Sequence, residues 1–424
     1  METASERSGS GEAEGAGSYD DGALGVYLHL PYCERVCPYC DFAVVAARRL
    51  DPSQEARYVA GLLAELALRA PDFAGRSLAT LYLGGGTPSL FSPESIRRLV
   101  DGVVAAFGGR GALAEVTLEL NPSTVERERL PGFREAGIDR LSIGVQSFDD
   151  GLLKRLGRAH RAEESEATLE AARRAGFANL SVDLIFAGPG QTPTDLDRDL
   201  ALVSSLEPEH VSTYELTWEP ETPFGRALAV GKLAAVDEDL AVAMIDQVER
   251  RLGAAGYERY EISSYARLGH RARHNARYWQ RQAVLGLGMG AHSTEARTRL
   301  HPHGARRANP RSLEAWLDAV EHARIPGVLE PISPATARGE AIFLGLRQRE
   351  GVCARRFAAE FGAPPRAFFG AEIEALVRRG WLEEGPGAEA GAGAGEPGDL
   401  RLSARGRLVA DSVAAEFVGG DGAD

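Results

Sequence analysis

From Leu24 onward the chain alternates short apolar runs with longer amphipathic stretches. The runs are rich in β-branched and aromatic residues: Leu24–Leu30, Leu78–Gly84, Glu115–Leu120, Arg140–Val145, Leu180–Phe186 and His210–Leu216. Between them, helical readings cover Gln54–Arg69, Pro93–Phe107, Val125–Ala136, Ala162–Ala175 and Thr194–Leu206. "REAGI" and "RRAGF" carry the glycine that commonly ends a helix. Six strand–helix units in succession predict a parallel sheet wound with crossover helices. Six falls short of the eight units of a closed barrel. An open, three-quarter barrel fits the count, with a doubly wound sheet as the alternative.

Beyond about Glu219 the rhythm changes. Residues 221–325 mix a helix, "DLAVAMIDQVERRLGAAG", with strand-like and irregular pieces. From about Pro331 come helices, then "IEALVRRGWLEE", an acidic Gly/Ala loop and "LRLSARGRLVADSVAAEFV". Helices followed by a hairpin with a long tip resemble a winged-helix module. The expected organisation is a disordered tail over 1–22, a partial (β/α)6 TIM-like barrel over 23–250, an α+β extension over 251–330 and a winged-helix-like unit over 331–418. The low-complexity stretch 385–399 is expected to be a flexible loop.

Composition narrows the setting. The 424 residues are 44% hydrophobic and 26% charged, with a formal net charge of −13. That balance argues against a nucleic-acid groove as the main partner and leaves at most peripheral contact with a membrane surface. Arg378, Arg379, Arg401 and Arg405 in the winged unit are therefore read as charged surface. No run approaches the roughly 18 apolar residues of a membrane span. The Gly/Ser/Glu-rich start lacks the basic and apolar regions of a signal peptide. With four cysteines, three of them clustered, the chain is expected in a reducing cytoplasm.

The clustered thiols lie in "YCERVCPYCDF", as Cys33, Cys37 and Cys40. "CPYC" alone would be a redox pair, but Cys33 then has no part. A structural zinc needs a fourth ligand, and Cys353 is remote in sequence and reads as a small buried hydrophobe. A [4Fe–4S] cluster remains: three thiolates leave one iron open to an exogenous chelator. The loop follows the first strand, where parallel-barrel enzymes assemble their sites. Other polar groups stand at the same ends of later strands: "GGGTPS", Glu119 and Asn121, Gln146 and Ser147, and Asp183. Glycines 84–86 allow close backbone approach and can present N–H groups. An acidic strand-end residue can meet an ammonium or a ribose hydroxyl.

These features resemble the radical S-adenosylmethionine (SAM) enzymes, in which the C-x3-C-x2-C loop holds the cluster and SAM chelates its open iron. "VYLHLPYCERVCPYCDF", "YLGGGTPS", "LELNP", "RLSIGVQSF", "LGRAH" and "VDLIFAGPGQT" narrow the likeness, across residues 24–415. They point to the branch of oxygen-independent coproporphyrinogen III dehydrogenases (HemN type) and haem chaperones (HemW type). The resemblance implies Cys33, Cys37 and Cys40 as cluster ligands. It implies SAM contacts from Tyr27, Gly85, Gly86, Thr87, Glu119, Gln146, Arg158 and Asp183. Two features separate the branches. The dehydrogenases carry a further cysteine where this chain has Phe42, and "HNARYW" (His274–Trp279) matches the HemW-type motif. His274 is thereby a candidate haem contact, with Tyr278 and Trp279 beside it and Arg271, Arg273 and Arg277 near for the propionates. Ala187–Gly188 and Met289 depart from the usual pattern of the family.

The resemblance thus implies a haem chaperone with a [4Fe–4S] cluster and exchangeable SAM. Its expected partners are haem, a haem-acceptor protein and an electron donor to the cluster, with a homodimer left open. The alternative is a dehydrogenase that decarboxylates coproporphyrinogen III. Turnover of a substrate separates the two.

Overall fold

The computed structural model describes residues 20–385 and 398–418. The expected tail over 1–22 and loop over 385–399 fall almost wholly outside the described residues.

Six parallel strands run side by side in chain order: β1 (Ala23–Leu30), β2 (Ser77–Gly85), β3 (Glu115–Leu120), β4 (Arg140–Gln146), β5 (Asn179–Phe186) and β6 (His210–Glu215). All six match the predicted runs to within a residue at either end. The helices between them begin at side-chain caps. Asp51, Ser92, Ser123 and Thr192 each accept a first-turn backbone N–H, and Pro52, Pro93 and Pro193 follow where a missing N–H costs nothing. Gly137 and Gly176 lie at positive φ just past two helix ends, as "REAGI" and "RRAGF" predict.

The pleat divides each strand between two environments. Leu81, Leu83, Val116, Leu118, Leu141, Ile143, Leu180, Val182 and Val211 are buried in the main hydrophobic core. Their alternates are Thr80 and Tyr82, Glu115, Thr117 and Glu119, Arg140 and Ser142, Ser181 and Asp183, His210 and Ser212. One face of the sheet is aliphatic and the other carries polar groups, nearly all shielded from water.

The sheet does not stop at six strands. Val284–Leu287 adds in parallel to the free edge of β1, pairing Gly25 with Val284. Three antiparallel strands continue outward from it, and two more extend the β6 edge, giving twelve. The 251–330 region therefore supplies strands to both edges of the barrel sheet. Glu65 joins this region to the first helix: its carboxylate accepts from the Gly288 N–H at 2.8 Å, Asn309 Nδ2 at 2.7 Å and Trp316 Nε1 at 2.8 Å.

A second, smaller core lies in the C-terminal unit, around Ile342, Phe357, Ile373 and Leu402. The helices Pro334–Leu346, Ala354–Phe361 and Pro365–Arg379 and the Leu382–Glu384/Leu400–Leu402 hairpin have the winged-helix arrangement, and two short helices follow among the described residues. Arg378, Arg379 and Arg401 pair there with Glu374, Glu416 and Glu383. Cys353, expected to be buried, is half-buried, because it stands at the N-cap of Ala354–Phe361, outside the helix's packed turns. Among the described residues no helix is long and apolar enough to cross a membrane.

Glu65→Ala leaves the Gly288 N–H and Trp316 Nε1 unpaired and Asn309 Nδ2 with only its bond to the Gly288 carbonyl, each lost bond costing about 1–3 kcal/mol. The expected result is a loss of at least about 3 kcal/mol in denaturant-induced unfolding with an unchanged slope.

Candidate cofactor site

A cleft of about 520 Å³ opens at the carboxyl ends of β1–β6. Cys33, Cys37 and Cys40 line it, together with Gly85, Gly86, Thr87, Glu119, Gln146, Arg158 and Asp183. Ten of the twelve residues expected to bind metal or cofactor thus share one cavity. Tyr27 lies behind it, and His274 lies elsewhere.

The cysteine loop is fixed at both ends. Tyr32–Cys33 pairs in parallel with Val45–Ala46, the Val45 N–H donating to the Pro31 carbonyl at 2.8 Å and the Ala47 N–H to that of Cys33 at 2.7 Å. Inside the loop, the Cys40 N–H donates to the Cys37 carbonyl at 3.0 Å. His29 braces the loop from β1. Its Nε2 donates to the Ala43 carbonyl at 2.7 Å, and its Nδ1 accepts from the Tyr27 hydroxyl at 3.0 Å. Burial lowers the His29 pKa and keeps that ring neutral. Tyr27 accordingly acts on the cleft through His29 and through its stacking on Tyr82.

The glycine triplet sits against this loop. A side chain at Gly86 would meet the Pro31 carbonyl oxygen at 2.6 Å, and one at Gly85, where φ is 116°, would strike the His29 ring. Both positions require glycine. The expectation that the triplet offers N–H groups is corrected. The Gly85 N–H donates to Glu119 Oε2 at 3.0 Å, that of Gly86 to Leu30 and that of Thr87 to Tyr32. These donors are already used in holding the loop to the sheet.

Glu119 also accepts from the Tyr82 hydroxyl at 2.7 Å. Burial is the largest influence on its carboxyl and pushes it up to about 7, despite that bond. Burial likewise raises Asp183, which accepts from Ser142 at 3.0 Å. Gln146 adopts φ 65°, an uncommon conformation for a non-glycine residue, where β4 ends. Ser147 turns away and donates to Asp199.

The thiols face a short row of donors. Thr87 Oγ1 lies 3.7 Å from Cys33 Sγ, and Arg158 Nη1 lies 3.5 Å from Cys37 Sγ. Arg158 Nε is enclosed without a hydrogen-bond partner. Burial raises the Cys33 thiol to about 11 and raises that of Cys40 as well, so a metal centre must displace those protons to bind. Among the described residues no three His, Cys, Asp or Glu side chains are arranged to hold one metal ion. The three thiols share a cleft mouth, beside a buried guanidinium and an unoffset donor, and that set suits a polynuclear, anionic sulfur centre.

His274 stands apart from the cleft lining. It is 1% exposed, with Nδ1 2.9 Å from Thr80 Oγ1 and Nε2 3.3 Å from the Tyr278 hydroxyl. Burial, with Arg277 and Arg140 nearby, lowers its pKa to about 3. Its backbone N–H and that of Arg273 donate to Glu115, and its ring packs 5.2 Å from that of Tyr82. Trp279 lies under the guanidinium of Arg347 from the C-terminal unit. Two of the neighbouring arginines are also engaged: Arg277 is buried against Asp21 and the Ala23 carbonyl, and Arg271 pairs with Glu350. In this fold "HNARYW" is packed between the sheet and the C-terminal unit. The helix Arg273–Trp279 that carries it offers neither ring nitrogen to the surface.

Known proteins place the chain. A family model described as the radical SAM superfamily matches residues 27–203, and one described as the HemN C-terminal domain matches 332–387. The solved structure of coproporphyrinogen III oxidase (HemN) from Escherichia coli, a radical SAM enzyme, superposes with a TM-score of 0.76 at 21% identity, over 93% of this chain and 90% of that one. It shares the fold. The radical SAM model and the HemW relatives that follow set the chain among the radical SAM proteins. The heme chaperone HemW of Bacillus subtilis is 31% identical over 394 residues, which cover 93% of this chain and 98% of that protein. That of Escherichia coli is 40% identical over 269 residues, 63% of this chain and 69% of its own length. The chain belongs to the HemW family.

The raised Glu119 pKa has a sign that can be checked. Folded, the protein keeps a proton that the unfolded chain releases between about pH 4.5 and 7, so this contribution is full below 4.5 and falls away as pH rises through 7. Glu119→Gln cannot ionise. Its thermal midpoint is expected to fall less than the wild type's across that interval.

Proposed function

We propose that this protein is a haem chaperone: it binds haem and passes it to an acceptor protein, and it carries an iron–sulfur cluster with SAM beside it. The observation that carries this is membership of the HemW family along nearly the whole chain. The likeness to HemN is one of fold, and Phe42, 71% exposed at the cleft rim, stands where the dehydrogenases carry another cysteine.

In this reading Cys33, Cys37 and Cys40 hold a [4Fe–4S] cluster, which when bound supplies one-electron chemistry and an iron with a free position. Glu119 accepts a hydrogen bond from an ammonium or ribose hydroxyl of SAM, and its ionisation above pH 7 strengthens that contact. Asp183 and Gln146 continue the polar wall along β4 and β5. The glycine triplet brings the backbone close, so that SAM meets carbonyl oxygens there. Arg158 faces the anionic end of the pocket, and Tyr27 keeps His29 and the loop in place. The cleft belongs to the barrel, assigned to 23–250, and the haem motif to the 251–330 extension.

His274 remains the proposed haem contact, under a condition its packing imposes. To reach iron, its ring must leave Thr80 and Tyr278, and the helix Arg273–Trp279 must move from the sheet. Haem binding should therefore be slow relative to diffusion and sensitive to the contacts that hold that helix.

The test is an anaerobic haem titration of cluster-reconstituted protein, followed by absorbance. Saturable, stoichiometric binding that His274→Ala weakens at least tenfold, about 1.4 kcal/mol, supports the chaperone and this contact. Absence of saturable binding in both proteins, with SAM-dependent consumption of coproporphyrinogen III, supports the dehydrogenase.

A further inference from the structure

Asn121 follows β3 in "LELNP" and lines the cleft, where its carboxamide hydrogen-bonds to neither a thiol nor the backbone of the cysteine loop. Its carboxamide instead joins two side chains that do meet thiols. Nδ2 donates to Thr87 Oγ1 at 2.9 Å, and Oδ1 accepts from Arg158 Nη2. Thr87 Oγ1 then lies 3.7 Å from Cys33 Sγ, and Arg158 Nη1 3.5 Å from Cys37 Sγ. The result is one arc: Cys33, Thr87, Asn121, Arg158, Cys37. It crosses from the loop after β1 to the ends of β2 and β3 and back through the segment after β4.

Both ends of the carboxamide matter. A threonine hydroxyl has one hydrogen to give. Because Asn121 supplies an N–H to Thr87 Oγ1, that hydrogen is released to point at Cys33 Sγ. Because Asn121 presents a carbonyl to Nη2, the guanidinium is held with Nη1 toward Cys37; a further bond from Nη2 to the Gly144 carbonyl, 2.9 Å, fixes its plane. Asn121 orients two donors, of which one is a cation.

We infer that Asn121 is a positioning residue that sets the reduction potential of the cluster by aiming Thr87 and Arg158 at two of its sulfurs. The inference rests on the reading of Cys33, Cys37 and Cys40 as cluster ligands. Adding an electron makes a thiolate-ligated cluster more negative, so donors and a positive charge at its sulfurs stabilise the reduced state more than the oxidised one. With the arc intact the potential is higher; with the donors misdirected it falls.

The experiment is an anaerobic redox titration of the reconstituted full-length protein with dithionite, read by the cluster's visible absorbance and by electron paramagnetic resonance, alongside iron and sulfide analysis. Asn121→Leu is expected to keep iron and sulfide and to move the potential to more negative values. Thr87→Val removes one donor and is expected to move it in the same direction by less. The double variant should fall short of the sum, since Thr87 is already misdirected once Asn121 is gone. Wild-type potential in an iron-replete Asn121→Leu protein overturns the inference. Should that variant not hold its cluster, an unchanged potential in Thr87→Val overturns it instead. Failure of the wild type to take up any cluster would strike the ligand assignment itself, a different result from a loaded cluster indifferent to Asn121.

Discussion

A polar group on a buried sheet face is costly to leave without a partner inside the protein, and this barrel places more than ten of them on one face. Leaving such a group unpaired away from water costs about 1–3 kcal/mol, so the arrangement of the concave face is dictated by mutual satisfaction. Glu119 rests on Tyr82 and the Gly85 N–H, Asp183 on Ser142, and Glu115 on the N–H groups of Arg273 and His274. The first two pairs run between neighbouring strands and so depend on the register, which sets Tyr82 beside Thr117 and Glu119 beside Ser142.

That face has two ends with different surroundings. Toward the amino ends of the strands, Thr80, Glu115 and His274 close on one another, and the "HNARYW" helix seals them. Toward the carboxyl ends, the thiols are held in burial that disfavours their charged form, beside Arg158, whose Nε has no partner; Thr117 Oγ1 and Arg140 Nε, further back on the face, also lack one. Three thiols and a buried Arg158 Nε at a 520 Å³ cleft are groups that a bound cofactor would engage. Tyr82 touches both ends, through its hydroxyl to Glu119 and its ring against His274, so the proposed SAM site and the haem motif share a wall.

Much of this was legible in the chain. Short apolar runs of β-formers gave the strands, glycines gave two of the helix ends, and C-x3-C-x2-C with the strand-end residues gave the cleft. The seventh parallel strand, Val284–Leu287, was not legible, because its four apolar residues carry no sign of which edge they join. The state of "HNARYW" was equally hidden. A histidine among aromatics reads the same in sequence whether it faces solvent or, as here, has both nitrogens engaged. The N–H groups of the glycine triplet were misjudged for a related reason: glycine shows that the backbone comes close to something, and here the loop and Glu119 take those donors. Asn121 stood in a quoted motif, but its link to two thiols needs three strands in register before it can be seen.

The central claim is that three thiols leave one iron free for a small molecule in the same cleft. It is tested most directly by recording the electron paramagnetic resonance spectrum of the reduced, cluster-loaded protein with and without SAM. The account predicts that saturating SAM alters the cluster's signal. Identical spectra, with SAM shown by equilibrium dialysis to be either unbound or bound without effect on the cluster, would contradict it.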